Sequence, residues 1–126
     1  MKCALLLSMS YFEIYNEKVF DLMDPQGVDP LEVRESRSKQ FFIQGLTERL
    51  IPDIGAAKQS YEQGEAKRRY SVTSMNHNSS RSHVILQIKI ESRFYSTPTK
   101  TYTSVLTMAD LAGSENIQKS KTTGVG

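Results

Sequence analysis

Eight consecutive residues, Asn76-His77-Asn78-Ser79-Ser80-Arg81-Ser82-His83, bring together hydroxyls, amide groups and a guanidinium. Such a set is rich in hydrogen-bond donors and hard oxygen ligands, which suits a phosphate and a divalent cation. A second stretch, Asp110-Leu111-Ala112-Gly113-Ser114-Glu115, puts an acid at the end of an apolar run and a glycine shortly after it. In nucleotide-hydrolysing folds an acid so placed holds the water shell of Mg²⁺, and such a glycine offers its backbone N–H to a terminal phosphate.

A framework must present these two stretches, and its plainest part lies between them. Val84, Leu86, Ile88 and Ile90 alternate with Ile85, Gln87, Lys89 and Glu91, the period of a strand with one apolar face. Arg93 to Lys100, with Pro98, reads as a turn, and Thr101 to Ala109 is β-branched enough to be the partner strand. Asp110 then falls just beyond a strand end, where open α/β sheets place their ligand sites. Upstream, Cys3 to Asn16 is apolar and then aromatic, which suits a long central strand covered on both faces, although Ala4 to Leu7 are also good helix formers. Glu17 to Met23 is expected to form a short helical turn, closed by Asp24-Pro25 and the loop-forming Gln26 to Pro30. Leu31 to Arg34 and Phe41 to Leu46 flank a polar segment and read as a surface hairpin. Pro52-Asp53 offers a helix start with Asp53 as N-cap, and the helix, weakened by Gly55 and Gly64, should end near Arg68. The serine-rich stretch that follows must be an exposed loop, because its polar groups need partners.

Composition bounds the possibilities. A chain of 126 residues, 38% hydrophobic and 24% charged, is one globular unit with a modest core. A net charge of +2 is too small to argue by itself for nucleic acid or membrane, so an acidic partner would have to meet a local patch. The single cysteine, Cys3, permits no internal disulfide and reads as a buried core thiol. Two histidines and one cysteine lack zinc-ligand spacing. The opening apolar run has no convincing cleavage site, so a cytoplasmic protein is expected rather than a secreted one.

The two polar stretches resemble the switches of the kinesin motor domain, the first matching NxxSSRSH and the second DLAGSE letter for letter. Ser10 to Met23, with Glu13-Ile14-Tyr15-Asn16-Glu17 at its centre, is similar to the kinesin strand that ends in EIYNE. The resemblance covers nearly the whole chain. It implies an α/β fold in which this chain is a central slice of a mixed β-sheet flanked by helices. It implies ATP or ADP and Mg²⁺ as cofactors, with Ser80 as a Mg²⁺ ligand and Asp110 holding the metal's water shell. Ser79 and Ser82 would line the phosphate pocket, Asn76 would bond near the γ phosphate, and Gly113 would sense it. Arg81 and Glu115 would form the salt bridge that closes over the phosphate and positions the attacking water. These roles suit phosphoryl transfer, which needs charge neutralisation and an oriented nucleophile more than covalent help. Asn116 stands where the family often has a basic residue, and Met108-Ala109 where valine is usual, which bears on the subfamily.

Taken singly, these residues have plainer readings. Serines in such loops mostly cap turns, and an aspartate at a strand end is often a cap as well. His83 reads as a structural histidine and His77 as an exposed one, while Lys67-Arg68-Arg69 reads as a solvated helix end that complements the helix dipole. The joint match carries the functional reading.

The 126 residues contain no GxxxxGK[ST] phosphate loop. The chain is therefore expected to be the middle part of a microtubule motor, an ATPase when intact and inactive by itself. The resemblance implies microtubules as partner, with Lys18, Arg34 and Lys39 where tubulin-contacting basic residues fall, and Arg37 nearby. A charged edge that discourages sheet aggregation would place such residues equally well. Dimerisation is expected through segments outside this chain, with neither nucleic acid nor membrane as partner. The other function class is a non-catalytic microtubule-binding module that has kept the motor fold.

Overall fold

The computed structural model describes residues 3–74 and 76–111. Its backbone is a long strand, β1 (Cys3–Tyr15), from which the rest of the main sheet is laid out. A tight turn returns the chain along β1 as β2 (Lys18–Asp21). Two short strands, β3 (Val33–Glu35) and β4 (Phe41–Ile43), form a separate hairpin, and β5 (Arg49–Leu50) pairs briefly with β1. Helix α1 (Ile54–Ser74) leads through a 3₁₀ turn (Ser79–Arg81) into β6 (Ser82–Phe94), which lies against the whole of β1. The outer strand, β7 (Tyr102–Leu111), completes the order β2-β1-β6-β7. The result is the expected α/β arrangement, a slice of a central sheet with a helix on it. Every strand pairing among the described residues is antiparallel. No described helix is long and apolar enough to cross a membrane.

Four expectations need correction. The helical turn expected over Glu17 to Met23 is instead the β1–β2 hairpin. Asn16 and Glu17 both adopt positive φ, 52° and 63°, the pair of left-handed residues a two-residue turn needs to match the twist of its strands. Second, β1 is buried only over Met9–Glu13, whereas Ala4, Leu5 and Leu6 are exposed and Cys3 is only half-buried. Third, α1 runs past Arg68 to Ser74, and Lys67 and Arg68 turn inward instead of ending the helix in water. Fourth, Asp110 lies within β7, paired with Val84, instead of beyond the strand end.

The helix begins where the sequence placed its cap, with Asp53 Oδ1 accepting the Ala56 N–H at 2.8 Å. It packs on β1 at Gly64, where an added Cβ would stand 2.4 Å from Cδ2 and 2.8 Å from Cε2 of Tyr11. Gly64 thus has a packing reason, not a turn reason. The Tyr11 ring is held in place by its hydroxyl, which donates to Glu65, and by Tyr61, whose ring centroid is 5.4 Å away. Burial, reinforced by the Glu65 carboxylate, pushes the Tyr11 hydroxyl far above its usual pKa, so it remains a donor. Lys67 uses its three donors on the carbonyls of Asp21, Asp24 and Gly27, at 2.7, 2.5 and 2.5 Å, tying the loop after β2 to the helix. Burial lowers its pKa, while Asp21 and Asp24 oppose the shift.

Gly64→Ala should therefore destabilise the protein. Overpacking against a fixed ring costs about 1–3 kcal/mol, and the helix propensity gained by alanine returns about 0.5–1 kcal/mol. A lower urea midpoint at unchanged slope is expected; a midpoint equal to that of the parent would show that the Tyr11 ring yields freely.

Candidate functional site

The site forms at one end of the sheet, where β1 ends, β6 begins and β7 ends. Register fixes this convergence: Tyr15 pairs with Ser82, Glu13 with Val84, and Val84 in turn with Asp110. Because directly paired residues share a face, Tyr15 lies beside Ser82, and Glu13, Val84 and Asp110 form a row across the sheet. Tyr11, on the same face of β1 as Glu13 and Tyr15, touches Gly64. All of these residues therefore stand on the face that carries α1, and the loop 76–81 crosses from the end of α1 to the start of β6 at this point.

The loop is shaped by its own polar residues. Asn76 takes a left-handed backbone conformation, φ 56°, which asparagine tolerates better than most residues and which turns the chain off the helix. The next N–H, of His77, donates to the Ser71 carbonyl at 3.1 Å. Asn78 Oδ1 accepts both the N–H and the hydroxyl of Ser80, at 2.9 and 2.7 Å, and the Arg81 N–H donates to the Asn78 carbonyl at 3.0 Å. These bonds wind the 3₁₀ turn that Ser79 begins and Arg81 ends. Ser80 and Arg81 are exposed on it.

The donor set fits a hard cation. The Ser80 hydroxyl donates its proton to Asn78 Oδ1, which leaves its oxygen lone pairs available as a ligand. Asp110 is exposed on the neighbouring strand, with a carboxylate able to accept from metal-bound water. No cluster of three or more His, Cys, Asp or Glu suited to a metal occurs among the described residues. Mg²⁺ keeps several waters and takes few protein ligands beside a phosphate, so a hydroxyl and a carboxylate are donors of the kind it uses.

Other residues stand differently from expectation. Ser82 is completely buried, its hydroxyl donated to Glu13 Oε2, so it holds the loop to β1 instead of facing an open pocket. His77 is no exposed histidine: its side chain is 12% exposed, and its ring stacks on Tyr15 with centroids 4.2 Å apart and planes inclined by 14°. His83 Nδ1 is buried without a hydrogen-bond partner among the described residues. Gly113 and Glu115 lie outside the described residues. The basic residues of the second candidate surface are all exposed: Lys18 opens β2, Arg34 in β3 pairs with Glu32 at 2.7 Å, and Lys39 sits in the β3–β4 turn with φ 67°. A bridge between Val19 and Leu31 ties this hairpin to β2 close to Lys18.

Sequence reasoning missed Glu13, Tyr15 and Asn78 as working parts of the site. The signal for the first two was available: an acid and a tyrosine at strand spacing, at the end of a buried strand, are placed to meet whatever loop returns beside them. Asn78 carried the usual mark of an asparagine two residues before a serine, a side-chain cap for the turn.

Comparison with known proteins agrees with the geometry. The family model for the kinesin motor domain matches residues 2–125. The chain is 38% identical to a kinesin heavy chain of Caenorhabditis elegans over 118 residues, 94% of this chain and 14% of that protein. It is 39% identical over 121 residues to kinesin-like protein KIF15 of Strongylocentrotus purpuratus, 95% of this chain and 8% of that one. A solved structure described as that of a fast kinesin superposes with a TM-score of 0.84 at 33% identity, covering 93% of this chain and 32% of that one. With a family model spanning almost all of its length and the same fold in a solved relative, the chain belongs to the kinesin motor-domain family.

Proposed function

We propose that this chain is the switch-bearing centre of a motor that couples ATP hydrolysis to movement along microtubules. The observation that carries this reading is the convergence at one sheet end of Ser80 and Arg81, exposed on a turn wound by Asn78, with the Asp110 carboxylate. Ser80 and Asp110 would hold Mg²⁺, which when bound neutralises charge on the phosphates. Asn76 and Ser79 would contribute to the phosphate surroundings. Arg81 would reach across to Glu115 and orient the attacking water, with Gly113 donating its N–H to the γ phosphate. In this assignment the protein's contribution is positioning and electrostatic stabilisation, the two effects on which phosphoryl transfer chiefly depends.

For the microtubule, the proposed contacts are Lys18, Arg34 and Lys39. Their charges act mainly through long-range attraction that salt screens. Replacing all three by alanine in the full-length protein is expected to weaken microtubule binding most at low ionic strength and to leave basal ATP turnover nearly unchanged. Co-sedimentation across a salt series measures this, and an unaltered affinity at low salt would remove the three residues from the interface.

The motor reading itself is tested by movement. Full-length protein fixed to a surface should move microtubules in ATP and hold them still with a non-hydrolysable analogue. Binding without movement in ATP would leave only a microtubule-binding module of the same fold.

A further inference from the structure

The buried acid Glu13 is used by none of the steps above, yet it is 1% exposed and sits at the meeting point of β1, α1 and the loop 76–81. A carboxyl group taken from water without partners costs several kcal/mol, so its surroundings must answer for it. Oε2 accepts from the Ser82 hydroxyl, at the exit of the loop. Arg68 Nε, from α1, is 3.9 Å from the same oxygen. His77 Nδ1, at the entrance of the loop, is 3.8 Å from Oε1. Oε1, the Arg68 Nε and the His77 Nδ1 are all buried without a hydrogen-bond partner among the described residues. Each thus lies about 1 Å beyond bonding distance of a complementary group. Tyr15, on the same face of β1, takes hold of the segment between: its hydroxyl accepts the Asn78 N–H at 3.0 Å, and its ring carries His77.

We infer that Glu13 and Tyr15 are positioning residues which clamp the loop 76–81 from beneath, with the His77 contact to Glu13 held in reserve for a closed position of the loop. Tyr15 fixes Asn78, Asn78 fixes the Ser80 hydroxyl and the Arg81 amide, and Glu13 fixes the loop where it enters β6. A shift of the loop toward β1 by about 1 Å would bring His77 onto Glu13 Oε1. Coupling of this kind needs a built contact with two arrangements, and a buried carboxylate oxygen and a buried imidazole nitrogen just out of reach of each other supply one. The inference rests on the reading of this loop as part of the nucleotide site, but the clamp itself can be measured without nucleotide.

Two variants of the full-length protein test it, Tyr15→Phe, which keeps the ring under His77 and removes only the acceptor of the Asn78 N–H, and Glu13→Gln. Hydrogen–deuterium exchange without nucleotide should be at least about tenfold faster at the amides of Asn78 and Arg81 in Tyr15→Phe, with the ladder between β1 and β6 protected as in the parent. In ATP turnover both variants should lose about tenfold in kcat while KM for ATP moves less than about twofold, the signature of a group aligned for the transition state and not for substrate binding. Unchanged exchange in Tyr15→Phe would overturn the clamp. Faster exchange with kcat unaltered would keep the mechanical contact and overturn its role in positioning the site, and with it the place of the loop in the chemistry. If Glu13→Gln fails to fold, Tyr15→Phe alone decides between these outcomes.

Discussion

Replacing Arg81 by alanine in the full-length protein is expected to lower microtubule-stimulated ATP turnover by about a hundredfold or more while ATP still binds, a loss of about 2.7 kcal/mol in transition-state stabilisation. Arg81 ends the 3₁₀ turn at the start of β6, exposed and so free to turn toward a partner. On the neighbouring strand Leu111, the last described residue of β7, pairs with His83 at the start of β6. Antiparallel pairing thus sets the start of β6 beside the last described residues of β7. The proposed Arg81–Glu115 latch follows from that topology joined to the family resemblance. Removing one partner of an ion pair that is desolvated on closing leaves the other charge unpaired, which costs about 3–5 kcal/mol. Glu115→Ala should match Arg81→Ala, and the double variant should be little worse than either, because two halves of one latch fail together. Losses that multiply in the double variant would show two independent residues and would withdraw Glu115 from the site.

The 126-residue chain by itself should bind ATP no more tightly than about millimolar, several orders of magnitude short of what a motor requires. The described elements offer the Ser80 hydroxyl, the Asp110 carboxylate and the Arg81 guanidinium at one end of the sheet, but the sequence lacks GxxxxGK[ST], whose backbone N–H groups and lysine cradle the β and γ phosphates. In the proposed assignment Ser80 and Asp110 would hold a metal that the phosphates must also hold, so they could not replace that cradle. Calorimetric titration with MgATP measures this. Micromolar affinity in the isolated chain would mean that these 126 residues hold the β and γ phosphates by themselves, without the missing cradle.

What the sequence made legible was whatever rests on period and punctuation. The alternation from Val84 to Ile90 named β6, the β-branched run after Pro98 named β7, and Asp53 named the start of α1, because each signal depends on neighbours a few residues apart. What stayed hidden depends on residues far apart in the chain. The length of α1 was hidden because Lys67 and Arg68, which look solvated in sequence, turn inward, Lys67 onto the carbonyls of the loop after β2 and Arg68 toward Glu13. The β1–β2 hairpin was hidden because Asn16-Glu17 is a rarer pair for a two-residue turn than Asn-Gly. Asp110 was placed one step too far along because a strand's last residues are fixed by its neighbour: the ladder to β6 runs on to Leu111. At the site, the motif gave the exposed Ser80 and Arg81 but not the buried side of the loop. There Ser82 and His77, polar letters in sequence, turn inward to an acid and a tyrosine contributed by β1.

Whether the sheet end shared by the loop 76–81 and Asp110 is the hydrolytic centre of a microtubule motor is decided by steady-state ATP turnover of the full-length protein, titrated with microtubules and repeated with Arg81→Ala. A hydrolytic centre at this position predicts slow turnover alone and a saturable rise with microtubule concentration. In the variant nearly all of that rise should be lost while microtubule binding is retained. Binding to microtubules with no turnover at any concentration, or turnover that Arg81→Ala leaves intact, would contradict it.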